Sequence, residues 1–407
     1  MGLFITGLFL SMLMFKTLMI HTDNTQLMDK VIKLIQTGEW IHHGNAATKM
    51  GALPGSFLTV ITALPMLIWF NPYAACAVIL LFHVISYFLL RKLGKKLFIT
   101  DFSPMVFVII FWLNPWRVEQ SELYNPGYLF LFSAVHIYTA YLMHQRKNFW
   151  ATLAHVLCIG FCFQVHFSVL IIGLSSLYLF FRKKINVNWL GFSAGAVVVI
   201  LSLIPWLLEK LSGGNESLQT HSGAYLGRNL ILVYPVIKSV IYFFRMGSMY
   251  FGRHIFSEIN FTWITTEYFN LVINFMFHIL KWVLAAGSLY FSFKWIGSYL
   301  RGVVKIKNEE KSFTEVYFLS LFLGVIGAAA LSPVEFNHWH LILVYPVIAL
   351  YMSVFLKPHI QSKKYILPVL AIVFIAWNVF AAFGSRSHSI KNDYSRDFYR
   401  HYSIISE

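Results

Sequence analysis

An aspartate stands where the first apolar run of the chain ends, in the stretch Met19-Ile20-His21-Thr22-Asp23-Asn24-Thr25-Gln26. A carboxylate at such a boundary supports two readings. Thr22, Asp23 and Asn24 are good N-cap types ahead of a helix. The same carboxylate, fixed where the helix dipole favours negative charge, suits a general base or a metal ligand. Polar residues recur at other ends of apolar runs. The stretch "NPWRVEQSELYNPG" (114–127) carries Arg117, Glu119, Glu122 and Asn125; "FQVHFS" (163–168) carries Gln164 and His166; "SPVEFNHWHLILVYP" (332–346) carries Glu335, His338 and His340. Arginine grips phosphate with two parallel donors. Glu335 and His338 are three apart, as are Asn337 and His340, and a Glu/His pair suits a metal. No second cluster accompanies it, so zinc held by protein ligands alone is not expected. For each of these residues the plainer reading is loop solvation.

The elements that must position these groups are hydrophobic. The 407-residue chain is 58% hydrophobic and 12% charged, where a soluble domain carries roughly a quarter charged residues. Apolar runs long enough to cross a bilayer recur along its length. Backbone groups in lipid must be satisfied internally, so the runs are helices, and the alternation of a barrel strand is absent. Residues 1–20 lack a basic leading segment and a small-residue cleavage site, and read as a retained first helix. The net charge of +15 sits in short loops between apolar runs, as a positive-inside bias requires; nucleic-acid binding is not expected. Cys76, Cys158 and Cys162 fall inside apolar runs and read as core residues.

Placing the basic clusters at 91–96, 144–147, 182–184, 294–311 and 357–364 in the cytoplasm demands an even number of crossings between neighbours. The pairs 98–114/127–143, 149–164/167–181, 189–208/271–291 and 313–331/339–356 provide it. With 1–20, 73–90 and 365–383 the total is eleven crossings (range 10–13), N-terminus in and C-terminus out. Segment 54–70 is read as re-entrant or interfacial, and 229–250, which contains Lys238 and Arg245, as interfacial. The expected architecture is an all-α polytopic membrane protein with one transmembrane domain over 1–383 and an external tail over 384–407. Residues 21–53 form an external loop, in which Leu27, Met28, Val31, Leu34 and Ile35 give 25–37 one apolar stripe, as for a helix lying flat on the outer membrane surface. The external segment 209–270 opens with a Gly- and Ser-rich stretch suited to a lid. Glu39, His43, Lys49 and Arg228 are external as well.

Several of these segments together resemble the bacterial branch of the protein O-mannosyltransferase superfamily, glycosyltransferase family 39 of the GT-C class. The family ends its first helix in an acidic motif, here Asp23, followed by a juxtamembrane helix (25–37) and a turn at Gly38-Glu39-Trp40. Its "G-P-P-S-S-x-G-x-L-G-P" loop is matched by "GNAATKMGALPGSF" (44–57). "NPWRVEQSELYNP" (114–126) is similar to its "N-P-W-x-x-x-x-S-R-x-x-W-N-P", "QVHFS" (164–168) to its "Q-L-H-Y-S", and "HWHLILVYP" (338–346) to its late "H-Y-x-x-x-x-x-P". Asn24 stands where many members have Glu, and Glu122 where they have Arg.

The resemblance implies a GT-C fold in the bacterial inner membrane, with the active site on the periplasmic or extracellular face. It implies inverting transfer of a sugar from a polyprenyl-phosphate carrier to an acceptor hydroxyl on a glycolipid, polysaccharide or protein, with Asp23 as the base. Arg117, Lys49, Arg228, His338 and His340 are the candidates for the donor phosphate. Asn24, Glu39, His43, Glu119, Glu122, Asn125, Gln164, His166 and Glu335 are the candidates for sugar or acceptor. No cofactor is certain; a divalent cation, Mg or Mn, held by Asp23 and Glu335 is left open, with Asn24 favouring catalysis without metal. The competing classes are a flippase or transporter of lipid-linked glycan, and a ligase or polymerase with a diphosphate-linked donor. A transporter would show internal repeats and ionisable groups at mid-membrane, whereas here the polar residues gather at loops.

Overall fold

The computed structural model describes residues 1–15, 22–47, 51–99, 101–212, 233–246, 267–304, 313–331, 336–363 and 365–385. Lys49, Arg228, Glu335, the Gly- and Ser-rich candidate lid from 213 onward and the tail from 386 lie outside the described residues. The architecture is helical. Helix α1 (Gly2–Phe15) is followed by α2 (Thr22–Gln36), a hairpin of β1 (His43–Ala47) and β2 (Gly51–Pro54), α3 (Phe57–Ile68) and α4 (Pro72–Leu97). A short α5 (Pro104–Phe107) runs into a π-turn (Val108–Trp112), then α6 (Pro115–Glu119) and a 3₁₀ turn (Asn125–Tyr128). Next come α7 (Leu129–Gln145), α8 (Phe149–Phe163), α9 (Val169–Phe181), α10 (Trp189–Leu211), α11 (Val233–Phe244) and α12 (Glu267–Val304). Helix α13 (Phe313–Leu331), a 3₁₀ turn (His338–Leu343), α14 (Tyr345–Gln361) and α15 (Ile366–Ser385) complete it. Among the described residues, α4, α10, the Glu267–Ser298 part of α12, and α13 are long and apolar enough to cross a membrane, and shorter apolar helices accompany them.

Asn-Pro pairs start two of these elements. Asn71 and Asn114 each accept the N–H of the residue two positions on, with proline at the first helical position, where its missing N–H and fixed φ cost nothing. The pairing α9–α13 is close because Gly324 lies against the Ile171 carbonyl, at a separation of 2.4 Å from where a Cβ would sit. In lipid such small-residue contacts let backbones approach and gain dispersion.

Two polar clusters pin the bundle internally. Ser86 donates to the Phe130 carbonyl at 3.0 Å and His83 Nε2 meets the Gly127 carbonyl at 2.9 Å, tying α4 to the start of α7. Deeper, Tyr317 of α13, His136 of α7, Ser176 of α9 and His155 of α8 form a chain with contacts of 2.6, 2.8 and 2.9 Å, extended from His155 Nδ1 to Thr139 at 2.8 Å. The Ser176 hydroxyl donates to the Ile172 carbonyl at 2.9 Å and the Thr139 hydroxyl to the Val135 carbonyl at 2.7 Å. Four helices are thereby cross-linked.

The structure differs from the sequence expectations in three places. Helix α2 does carry the expected apolar stripe, but Leu27, Met28 and Val31 are at most 1% exposed. The stripe packs on α3 and β1, so the protein's own elements cover it rather than lipid. The stretch 44–57, read as a loop, contains the hairpin, with Ala46 opposite Ala52 and Ala47 opposite Gly51; small residues let its strands lie against α2. Segment 98–114, read as a crossing, has helix only over Pro104–Trp112, about 14 Å at 1.5 Å per residue against a hydrocarbon core of about 30 Å.

Candidate functional site

The site end of the bundle is assembled by α2, β1 and the 114–128 connection. Asp23 lies in the first turn of α2 and is half-buried. Asn45 of β1 donates to the Asp23 carbonyl at 2.7 Å, and the same amide nitrogen lies 3.4 Å from Asn125 Oδ1. Asn24, 2% exposed, donates to the Leu123 carbonyl at 3.2 Å. Lys30, one face further along α2, is buried and donates to the Gly44 carbonyl; burial first, then the Lys33 charge, lowers its pKa to about 8 against the opposing pull of Asp29. Asn24 thus has a structural job as a donor: an ionised Glu at 24 would present no donor to Leu123.

Tyr124 lies within electrostatic range of Asp23, Glu119 and Glu122. Burial raises the Tyr124 hydroxyl above its ordinary range, and the charges of Asp23, Glu119 and Glu122 add to that. Burial, reinforced by Glu122, also holds Glu119 well above the usual carboxylate range. Among the described residues no group of three His, Cys, Asp or Glu side chains is placed to hold a metal ion.

A second cluster forms where the 163–168 turn meets the late 3₁₀ turn. The rings of His166 and His340 stand edge to face with centroids 5.5 Å apart. The Ser168 backbone N–H donates to His166 Nδ1 at 3.1 Å and the Asn337 N–H to His340 Nδ1 at 2.9 Å. In the neutral His166 ring the proton then belongs on Nε2, whereas His340 Nδ1 also lies 3.0 Å from the Asn337 carbonyl, to which it donates in the other tautomer. Burial, helped by the partner ring, takes His166 down to about 3; burial, opposed by the Asn337 backbone and helped by Lys238, takes His340 to about 4. Lys238 of α11 reaches Asn337 Oδ1 at 3.0 Å. The sequence placed Lys238 at the interface but did not number it among phosphate candidates. Nothing in its local pattern distinguishes it; only the packing of α11 against the 338–343 turn brings it in.

Other candidates are used elsewhere. Arg117 is fully buried. It donates to the Trp112 carbonyl at 2.9 Å through Nε and again through Nη2, to Ser11 Oγ at 2.6 Å and to the Gly7 carbonyl at 3.4 Å, and lies 4.0 Å from the Trp112 ring centroid. Its positive charge against the positive-inside pattern is therefore explained by docking α1 onto the 112–117 segment, not by facing a cleft. Gln164, 1% exposed, donates to Ser202 of α10 at 2.7 Å and abuts Gly55, whose φ of +72° and lack of Cβ admit it. Asn125 is 7% exposed beside Asn45. Glu39 is exposed on the turn after α2. His338 is half-buried with its ring against Trp339. His43, at the start of β1, has Nδ1 3.8 Å from Glu209 Oε1; burial and Lys30 lower its pKa, with Glu209 opposing.

No family model matches the chain, and no curated protein matches it. Among solved structures, ArnT from Cupriavidus metallidurans bound to undecaprenyl phosphate is similar with a TM-score of 0.58, at 11% identity, over 95% of this chain and 77% of that one. The same protein in the apo state gives a TM-score of 0.47 at 13% identity, over 95% and 76%. At this identity the likeness is one of fold: the chain is a membrane-embedded protein with the GT-C fold.

Proposed function

We propose that the protein transfers a sugar from a polyprenyl-phosphate carrier to an acceptor hydroxyl at the outer face of the bacterial inner membrane. The observation that carries this reading is that the first turn of α2, with Asp23, is tied to the 119–125 connection through Asn45 and Asn24 on a GT-C fold. The acceptor oxygen attacks the anomeric carbon as the bond from that carbon to the phosphate oxygen breaks. The electron pair leaves with polyprenyl phosphate, the proton passes to Asp23, and the configuration inverts. A carboxylate suffices because no covalent enzyme intermediate is required.

The leaving phosphate needs positive charge and donors aimed at it. Lys238, the Nε2–H of His166 and the ring of His340 are the groups we assign to it. Neutral imidazoles donate to an anion without the desolvation cost of a second buried cation. Glu119 and Glu122 are assigned to sugar hydroxyls. Undecaprenyl phosphate, which the ArnT structure holds, belongs to the carrier class that this reading requires. Orientation follows the positive-inside rule: the basic ends of α7 and α9 meet at the far end from Asp23, with His144 Nδ1 2.8 Å from the Lys184 carbonyl.

The experiment is turnover of polyprenyl-phosphate sugar in membranes carrying wild type or Asp23→Asn. The reading predicts that wild type consumes the donor and that Asp23→Asn is slower by a factor of about 10³ or more, within the range lost with a general base. Undiminished turnover by Asp23→Asn would overturn the assignment.

A further inference from the structure

Helix α4 ends in four cations, Arg91, Lys92, Lys95 and Lys96. The part before them, Pro72–Leu90, carries no Asp, Glu, Lys or Arg. At 1.5 Å per residue it is about 28 Å long, close to the hydrocarbon thickness of a bilayer, so the cations fall at headgroup level. They are remote from the candidate active site. Cys76, near the start of α4, lies within electrostatic range of Glu122, and Arg91 follows Cys76 by about four turns, or ~22 Å.

A positive-inside bias accounts for lysines at a helix end, and Lys92, Lys95 and Lys96 are exposed. It does not account for Arg91. That side chain is half-buried, and its Nε is covered without a hydrogen-bond partner. Among the described residues no carboxylate forms an ion pair with any of the four. A guanidinium N–H withdrawn from water and left unmatched favours an anion that accepts from it, and phosphate takes two parallel donors from arginine.

The cations also continue an apolar stripe. Leu81, Ile85 and Phe88 are exposed, and the spacing 81, 85, 88, 92, 95 puts them on one helix face with Lys92 and Lys95. Arg91 borders that face, one turn past Phe88. Phe4 of α1 lies beside the stripe, its ring centroid 5.4 Å from that of Phe88, and Lys92 Nζ stands 5.7 Å from the Tyr138 ring centroid of α7. A strip that is apolar along its length and cationic at its end matches a molecule with an acyl chain below a phosphate. A free phosphate leaves the strip unused, and an acidic peptide has no chain to lay along it.

We infer that the end of α4 binds an anionic phospholipid, with the phosphate on Arg91, Lys92 and Lys95 and an acyl chain along Phe88, Ile85 and Leu81. The inference does not depend on the sugar-transfer reaction, and turnover is not its readout. Full-length protein in a neutral detergent is titrated with dioleoyl phosphatidylglycerol, and with dioleoyl phosphatidylcholine as the tail-matched zwitterion; bound lipid is counted by native mass spectrometry. Wild type is expected to take the first phosphatidylglycerol about tenfold more tightly than phosphatidylcholine. One cation near an anionic headgroup is worth about fivefold, so Arg91→Gln is expected to weaken phosphatidylglycerol by about that factor or more. The double variant Lys92→Gln/Lys95→Gln changes exposed residues only, keeps the wild-type unfolding temperature, and is expected to weaken it about 25-fold. Arg182→Gln/Lys183→Gln, at the end of α9, is expected to stay within twofold of wild type. Equal affinity for the two lipids, or competition by sn-glycerol 1-phosphate as strong as by the lipid, would overturn the inference. So would affinity within twofold of wild type in both α4 variants, or an equal loss in the α9 variant, which would mean a diffuse positive surface and no site.

Discussion

The Asn45 amide grips the carbonyl of Asp23 rather than its carboxylate, so Asp23→Asn keeps that link between α2 and β1. The variant should unfold at the wild-type temperature while losing turnover, a separation that melting and donor consumption together can measure. Lys238 makes the complementary case. Lys238→Ala is expected to raise the KM for donor about tenfold or more with the fold intact, and Lys238→Arg to restore most of it, because a guanidinium also donates to phosphate; a KM unchanged in Lys238→Ala would remove Lys238 from the site. Arg117 should behave in the opposite way. Arg117→Met removes its bonds to Ser11 and to the Trp112 and Gly7 carbonyls, of which Ser11 and Gly7 keep their mutual bond, costing about 2–4 kcal/mol of stability, while donor KM in the folded fraction stays at the wild-type value. The histidines add a pH signature. His340 has its pKa lowered to about 4 in the fold from an ordinary value near 6.5, so the unfolded chain takes up a proton between these values and the folded one does not. Stability is therefore full above pH 6.5 and falls as pH drops toward 4, by about 3 kcal/mol. His340→Gln should make that slope shallower in thermal unfolding, with His166 still contributing.

Among the elements, the α7–α8–α9–α13 cross-link depends on one hydroxyl. Ser176 meets both His136 Nε2 and His155 Nε2. Ser176→Ala leaves two imidazole nitrogens unmatched where no water can replace the serine, and is expected to cost about 2–4 kcal/mol, read as a lowered unfolding temperature in nanodiscs. The sequence did not flag these histidines, because a lone His within an apolar run carries no signature until a neighbouring helix presents its partner. The helices themselves were legible, since α4, α8, α9, α10, α13 and α15 each fall on an apolar run; that Asn71 caps α4 is seen only in the structure. The stripe on α2 was legible too, but not what covers it, since α3 and the hairpin lie on it only in the folded chain. Small alternating residues over 43–54 gave no strand signal, because two short strands buried against a helix need neither β-branched side chains nor strict alternation.

For the whole molecule, one end gathers the carboxylates, amides and neutral histidines, and the other the basic loops. Of the site residues expected from sequence, His166 meets His340, and Asp23, Glu119 and Glu122 share one electrostatic neighbourhood at Tyr124. Loop identity was readable, since polar residues at helix ends stand out against a 58% hydrophobic chain. The division of labour within each loop was not: Asn24, Arg117 and Gln164 look like ligand-binding residues by type, and their hydrogen bonds are spent on Leu123, α1 and Ser202. Orientation can be checked on this scale. Cys76, Cys158 and Cys162 are buried and give no background, so an impermeant maleimide applied to intact spheroplasts should label Thr37→Cys and spare Lys147→Cys; the reverse pattern would place the site in the cytoplasm.

The central claim is a monophosphate-linked sugar donor, and the lipid that the protein carries tests it most directly. Organic extraction of purified wild type and of Asp23→Asn, followed by mass spectrometry, should give polyprenyl phosphate from the first and the same lipid with one sugar attached from the second, where transfer has stopped. Polyprenyl diphosphate in either sample, or only bulk phospholipid in both, would contradict the account.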